Sequence, residues 1–249
     1  MAIILKTNAE IEKMRRSGIA LRQVHEAVAA CVKPGVSTMD LERAALAKIA
    51  ELHAISAFKG YHGFPAALCT SVNDEVVHGM PSEKKILADG DIVSIDCGVF
   101  IEGFCSDSAV TYAVGTPSAL TKRLLEVTQA SLERGIQQAL VGGRLGDISH
   151  AIQAYCEAEG FGVVKEFVGH GIGKAMHEDP QVPNYGPSGK GPRLKAGMVL
   201  AIEPMINAGG AGVKVLPDGW TTLTLDGSYS AHFEHTVAIT KDGPRVLTR

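Results

Sequence analysis

Four acidic residues and one histidine sit where this sequence otherwise reads as apolar strand or glycine-rich turn. Asp96 and Asp107 lie in GDIVSIDCGVFIEGFCSDSAV, residues 90–110, among Ile92, Val93, Ile95, Val99, Phe100, Phe104, Ala109 and Val110. Glu203 ends the run MVLAIE, Glu234 lies within HFEHTVAI, and His170 lies in VGHGIG, whose glycines allow close backbone approach to a site. A carboxylate in such surroundings loses its water and must be compensated. Two close carboxylates are tolerated if they share a proton, as in an acid-protease dyad, or if a cation lies between them. Four carboxylates with an imidazole make an oxygen and nitrogen donor set that favours the cation and suits Mn, Fe, Co or Zn. Their charge suits two divalent ions better than one. Each residue alone has a plainer reading, as a surface aspartate or a loop histidine. It is the five together that point to a metal centre.

The two aspartates need a particular hairpin. Glu102-Gly103 is the expected turn, because glycine supplies the positive φ that tight hairpins require. With a two-residue loop, facing residues have numbers of odd sum. Asp96 and Asp107 also sum to an odd number, so they share a face, diagonally or directly opposed, with Cβ atoms roughly 5 to 8 Å apart.

Around this hairpin the sequence predicts helices and further strands. Thr7 and Glu10 form a capping-box signal, followed by Ile11, Met14, Gly18, Leu21, Val24 and Val28 at helical spacing, with Pro34-Gly35 as a stop. Ser37 or Thr38 caps a second helix with Leu41, Ala45 and Ile49 inward. Strands are expected at 67–72, 91–99 and 104–114. A helix after Thr116-Pro117 carries Leu120, Leu124, Val127 and Leu132, and Asp147 opens another through about Ala158. Strands return at 198–202, 212–216 and 233–240.

Two helices followed by strands therefore occur twice, and one register relates the copies. Leu87 to Asp96 (LADGDIVSID) matches Leu194 to Glu203 (LKAGMVLAIE), and at the same spacing of 107 residues Gly35, Asp40 and Leu41 meet Gly142, Asp147 and Ile148. This reads as a duplicated α+β half, with an antiparallel sheet, helices packed on its outer face, and Asp96 and Glu203 converging at a pseudo-two-fold axis. The expected organisation is one catalytic domain over 1–249, its halves about 8–115 and 116–249.

With 45% hydrophobic residues the chain can build a substantial core. A net charge of −3 argues against nonspecific nucleic-acid binding. No long apolar segment or signal peptide is visible, and five cysteines without CxxC spacing fit a reducing cytosol. For Cys31 and Cys156 the expected role is core packing.

The segments YHGFPAALCTSVNDEVVHGMP, SIDCG, FVGHGIG, MHEDPQVPN and LAIEPM, in that order, resemble the motifs of the methionine aminopeptidases over nearly the whole chain. The chain lacks the long insertion of type II enzymes and is similar to the bacterial type I form. The resemblance implies the pita-bread fold, removal of N-terminal methionine before a small second residue, and two divalent ions. Asp96 would chelate one ion, His170 and Glu203 the other, and Asp107 and Glu234 both. A bridging hydroxide would attack the scissile carbonyl. His177 would polarise that carbonyl, His78 would contact the amide nitrogen, and Glu203 would carry a proton to the leaving amine. Tyr61, His62, Phe64, Cys69, His78, Met176, His177 and Trp220 match substrate-pocket positions. Phe64 and Met176 depart from positions often Tyr and Phe, and Trp220 is expected to be exposed. The implied partners are nascent polypeptide N-termini and, transiently, the ribosome, through Lys84-Lys85 and Lys190, Arg193 and Lys195. No membrane or nucleic-acid role is expected, and the chain is expected to be a cytoplasmic monomer. Its own Met1-Ala2 start is a candidate substrate.

Other readings compete. Prolidases and Xaa-Pro aminopeptidases resemble the chain in the five ligands but usually carry an extra N-terminal domain, for which there is no room. Pita-bread scaffolds that have lost ligands do not fit, since all five are present. A metal-free, proton-sharing hydrolase is separated by its indifference to chelators.

Overall fold

The computed structural model describes residues 2–249, so Met1, and with it the expectation for the Met1-Ala2 start, lies outside the described residues. Helix α1 (Asn8–Ala29) opens with the reciprocal cap of Thr7 and Glu10, and Ile11, Met14, Leu21, Val24 and Val28 are buried along one stripe. Helix α2 (Thr38–Glu51) is capped by Ser37 with Asp40 and buries Leu41, Ala45 and Ile49. Helices α3 (Ala119–Gln137) and α4 (Leu145–Ala158) repeat the arrangement. The α3 stripe starts at Thr121 rather than Leu120, one position round the helix. Leu120 is therefore 58% exposed, against the expectation that it packs inward.

The repeat of 107 residues is present in hydrogen bonds. Gly35 N–H donates to Leu87 O (2.8 Å) and Gly142 N–H to Leu194 O (2.9 Å). Leu87 N–H donates to Val36 O and, in the second half, Leu194 N–H to Gly143 O. The isolated bridges Ser37–Ile86 and Arg144–Arg193 correspond in the same way, as do the bounds of α2 and α4.

Strands Ile92–Ile101 and Phe104–Ala113 form the expected hairpin. Glu102 and Gly103 both have positive φ (50° and 77°), and Arg16 of α1 grips the Glu102 carboxylate through two N–H donors. Asp96 faces Ala109 and Asp107 faces Gly98, so the aspartates are diagonal neighbours on one face. On the other face Val93, Ile95, Cys97 and Val99 pack against α1 and α2. In the second half Leu200 and Ile202 pack with α3 and α4, which leaves Glu203 for the opposite side. Helices thus cover the outer face and the acids emerge on the inner one.

The sheet is not continuous. Among the described residues every pairing is antiparallel, but the strands form four ladders of four, three, three and five strands. Glu234 also lies outside any ladder, between strands Ser230–His232 and His235–Thr240, because its N–H turns to Ala109 O (2.9 Å) across the axis. On either side of that bond a threonine replaces the ladder. Thr236 Oγ1 donates to Asp107 O (2.7 Å) and accepts from Asp107 N–H (2.9 Å). Thr111 Oγ1 does the same for His232, at 2.8 and 2.9 Å. The two halves are clasped by two hydroxyls related by the pseudo-two-fold. Thr236→Val leaves two buried backbone groups of Asp107 unpaired. Thermal unfolding is expected to show a loss of about 2–4 kcal/mol. Metal titration is expected to show a fall in affinity of about 10- to 100-fold, because a ligand-bearing backbone is released.

Candidate metal centre

The inner faces meet at a cavity of about 310 Å³. Asp96, Asp107, His170, Glu203 and Glu234 all line it, and so do Tyr61, His62, Phe64, Cys69, His78, Met176, His177 and Trp220. Asp107, His170 and Glu234 are buried, and each offers a ligand atom within 4.8 Å of the others. Glu203 Oε1 is 3.6 Å from His170 Nε2. Asp96 lies diagonally across the hairpin from Asp107, on the same face.

His170 sits on the three-residue strand Gly169–Gly171. A Cβ at Gly169 would collide with Ala201 O and one at Gly171 with Asp179 O, so only glycine lets this strand press between its neighbours. His170 Nδ1 lies 2.9 Å from Gly171 O, which can only accept; the proton is therefore on Nδ1 and the Nε2 lone pair faces the carboxylates. Burial holds its pKa down at about 3, so the ring stays neutral and able to bind a metal.

The donor set fits a cation. Asp96 Oδ1, Asp107 Oδ1 and Glu234 Oε1 are buried with no hydrogen-bond donor. Glu42 is a useful contrast, a buried acid whose oxygens accept the N–H groups of Ala67 (2.8 Å) and Leu68 (2.9 Å). No lysine or arginine lines the cavity among the described residues. Burial raises the pKa of all four site carboxyls, and for Asp107, Glu203 and Glu234 neighbouring acids raise it further. Asp96 is pushed up to about 7 by burial. Burial and mutual repulsion make the ionised pair of Asp96 and Asp107 costly, and either a proton between them or a divalent cation would supply the compensation.

A pH dependence follows. For Asp96 the folded pKa lies above the unfolded value of 3.8, so in metal-free protein the folded state binds more protons across this interval. The Asp96 contribution to stability is full below the unfolded pKa and is lost as pH rises toward about 7. The buried histidines, held at about 3 to 4, act in the opposite direction over part of the same interval, so the carboxylate contribution is read as the difference in Tm between wild type and Asp96→Asn in chelator. The wild type is expected to lose ground to the variant as pH rises through this window; a difference that does not change with pH contradicts this account.

Above the acids stand the histidines. His177 is exposed at the mouth, its ring 4.2 Å from that of His170 between centroids, and its Nδ1 is 2.8 Å from the Tyr61 hydroxyl. His62 packs edge-on against Tyr61 at 4.3 Å. His78 has φ 59°, a rare conformation for a non-glycine residue, and its ring is held edge-on by Phe167 (5.4 Å) and Trp220 (6.3 Å). Burial, then His177, lowers its pKa to about 4. Trp220 is half-buried against Phe64 at 5.1 Å, not exposed as expected. Phe58, Phe64, Cys69 and Met176 form the apolar wall. Cys69 is the cross-strand partner of Asp96, and burial, then Asp96, drives its thiol well up, so it packs as a neutral group. All five cysteines are free. Of the basic residues, Lys85 is engaged by Glu75.

His232 was not singled out from the sequence. It is buried, lines the cavity, and places an unpartnered Nε2 3.7 Å from Glu203 Oε2. Its spacing of two residues from Glu234 was the available signal, since alternate residues of an extended chain share a face. Phe167 and Met205 were missed as well; nothing local marks them.

Helix-covered, duplicated halves with a carboxylate–imidazole cluster at their junction define a metallohydrolase of the pita-bread class. Residues 12–241 match metallopeptidase family M24, and the chain belongs to that family. It is 54% identical to a methionine aminopeptidase of Bacillus subtilis over 99% of both chains. With that of Clostridium acetobutylicum it shares 51% identity over 99% of this chain and 98% of that one. The crystal structure of methionine aminopeptidase from Thermotoga maritima is 47% identical, covers all of both chains, and superposes with a TM-score of 0.98. A prolidase from Pyrococcus furiosus, at 22% identity and TM-score 0.79, shares the fold; 99% of this chain matches 65% of it. Among the described residues no helix is long and apolar enough to cross a membrane.

Proposed function

We propose that the chain is a metal-dependent methionyl aminopeptidase that removes an N-terminal methionine preceding a small residue. The observation that carries this reading is the gathering of Asp107, His170 and Glu234, from both halves, within 4.8 Å at one end of a cavity with a thioether-compatible wall. Asp96, Asp107, His170, Glu203 and Glu234 would hold two divalent ions of the Mn, Fe, Co or Zn type. Bound there, they supply Lewis-acid chemistry, polarising a carbonyl and making water acidic enough to attack it near neutral pH.

The chain's own residues do the rest. The acidic floor selects a free α-amine, which confines cleavage to the terminal residue. Phe64, Cys69, Met176 and Trp220 receive the methionine side chain, since rings and sulfur suit a polarizable thioether. His177 turns Nε2–H toward the scissile carbonyl when Tyr61 donates to Nδ1, and so donates to the oxygen as negative charge develops. His78, neutral by burial, contacts the amide nitrogen of the scissile bond. Glu203 moves a proton to the leaving amine. Nascent-chain N-termini are the substrates this site fits.

The test uses metal-stripped protein with Met-Ala-Ser and with Ala-Pro-type peptides, each divalent metal being added in turn. The expected result is cleavage of Met-Ala-Ser that depends on added metal. Cleavage of the Ala-Pro peptides alone rejects the assignment, and undiminished activity in chelator rejects the mechanism.

A further inference from the structure

Lys6 and Glu178 form an ion pair where charges are costly. Nζ and Oε2 are 2.6 Å apart, and the side chains are only 4% and 7% exposed. The partners are 172 residues apart in sequence, and neither lines the cavity. Glu178 directly follows His177, and its other oxygen accepts Ala175 N–H (3.3 Å), closing the short loop that carries Met176 and His177. At the start of that loop Gly173 O accepts Cys105 N–H (2.7 Å), two residues from Asp107, and a Cβ at Gly173 would strike both the Lys6 side chain and the Glu178 carboxylate. Lys6 is fixed at its other end. Its N–H donates to Gly197 O (2.7 Å) where the chain enters the strand leading to Glu203, and Gly197 has no room for a Cβ beneath the Lys6 carbonyl. Its Nζ also reaches Ile4 O at 3.3 Å.

One lysine therefore joins the loop of His177 to the strand of Glu203. A buried ion pair adds little net stability over an apolar substitute, so its use is geometric. The geometry points to Lys6 and Glu178 as a positioning pair that keeps the 173–178 loop in register with the Glu203 strand and the His177 imidazole aimed at the acidic floor. The catalytic consequence rests on the aminopeptidase reading; the positional one does not.

The test compares Lys6→Met, Glu178→Gln, the double variant and Lys6→Arg in the full-length, Mn-loaded protein. Either single change leaves an uncompensated buried charge and is prone to misfold; the double variant leaves none and keeps the question answerable. Three readouts are taken on the double variant. Mn affinity is expected to stay within about threefold of wild type. Turnover of Met-Ala-Ser is expected to fall about tenfold or more with KM little changed, since a misplacement of about 1 Å can cost about a hundredfold in rate. The nitrogen NMR signals of the His177 ring, recorded on the diamagnetic Zn-loaded protein, are expected to shift and broaden. Lys6→Arg, which keeps the charge, is expected to retain most of the turnover. Wild-type turnover with unchanged His177 signals overturns the inference, as does a loss of Mn affinity in proportion to kcat, which makes the pair a general stabiliser. A wild type that cleaves no Met-Ala-Ser with any metal overturns the aminopeptidase reading instead, and the His177 signals then still decide the positioning role.

Discussion

Asp107→Asn is expected to give a folded protein that has lost metal and measurable turnover, yet is more stable than the wild type when both are stripped of metal. Asp107 is at the centre of the cluster, diagonal to Asp96 on its own hairpin and within 4.8 Å of the ligand atoms of His170 and Glu234. Asparagine keeps its size but removes the charge and puts an N–H donor where a cation needs an acceptor. If the metal supplies several kcal/mol of transition-state stabilisation, kcat/KM drops by about a thousandfold or more. Stability without metal moves the other way. Burial, then Asp96, then Glu203 push the Asp107 pKa well up, so its ionised form is disfavoured in the empty fold. A neutral amide relieves that repulsion. Calorimetry in chelator at neutral pH and metal analysis after loading read the two effects independently. A metal-free variant less stable than metal-free wild type would mean that Asp107 is held by structural contacts.

Much of this site was open to sequence reasoning because it rests on local rules. The parity of a two-residue hairpin put Asp96 and Asp107 on one face before any coordinate, and the register with Asp96 opposite Ala109 and Asp107 opposite Gly98 is the diagonal case. Helical spacing found the buried stripes of α1 and α2, where the apolar residues lie three and four apart. The spacing of 107 residues found the duplication because turn and cap residues survive in both copies. What stayed hidden depends on contacts between distant segments. The stretch 233–240 reads as one apolar strand, and nothing local announces that it begins only at His235, with Glu234 outside the ladder and bonded to Ala109 across the axis. Thr111 and Thr236 look like ordinary strand threonines until both halves are in place. Lys6 and Glu178 are unremarkable charges until the fold buries them together. Glu42 shows the reverse problem. It is as acidic and as buried as the site residues, and only its two backbone donors mark it as structural.

The two upper histidines separate chemistry from metal binding. His177→Ala is expected to leave metal content and fold unchanged while kcat falls about 10²- to 10³-fold, the cost of removing one donor to a developing oxyanion. The ring faces the cavity beside His170 but is not among the buried ligand atoms, so its loss leaves the carboxylates in place. Desolvation of the part of the ring that faces the cavity, then His62, lowers its pKa and keeps it a neutral donor. His177→Gln restores a donor of similar reach and should recover part of the loss. Tyr61→Phe removes the hydroxyl 2.8 Å from Nδ1 and should cost less than the alanine change, because the ring remains but its tautomer is no longer held. His78→Ala should also slow turnover without releasing metal; alanine at φ 59° adds a backbone penalty that shows in Tm, so rate and stability must be read together. The His78 pKa of about 4 means that this ring takes up its proton only well below neutrality. An acid limb of activity near neutral pH that persists in both alanine variants therefore belongs to neither ring. Loss of metal from either variant would move that histidine into the ligand set and leave the oxyanion without its donor.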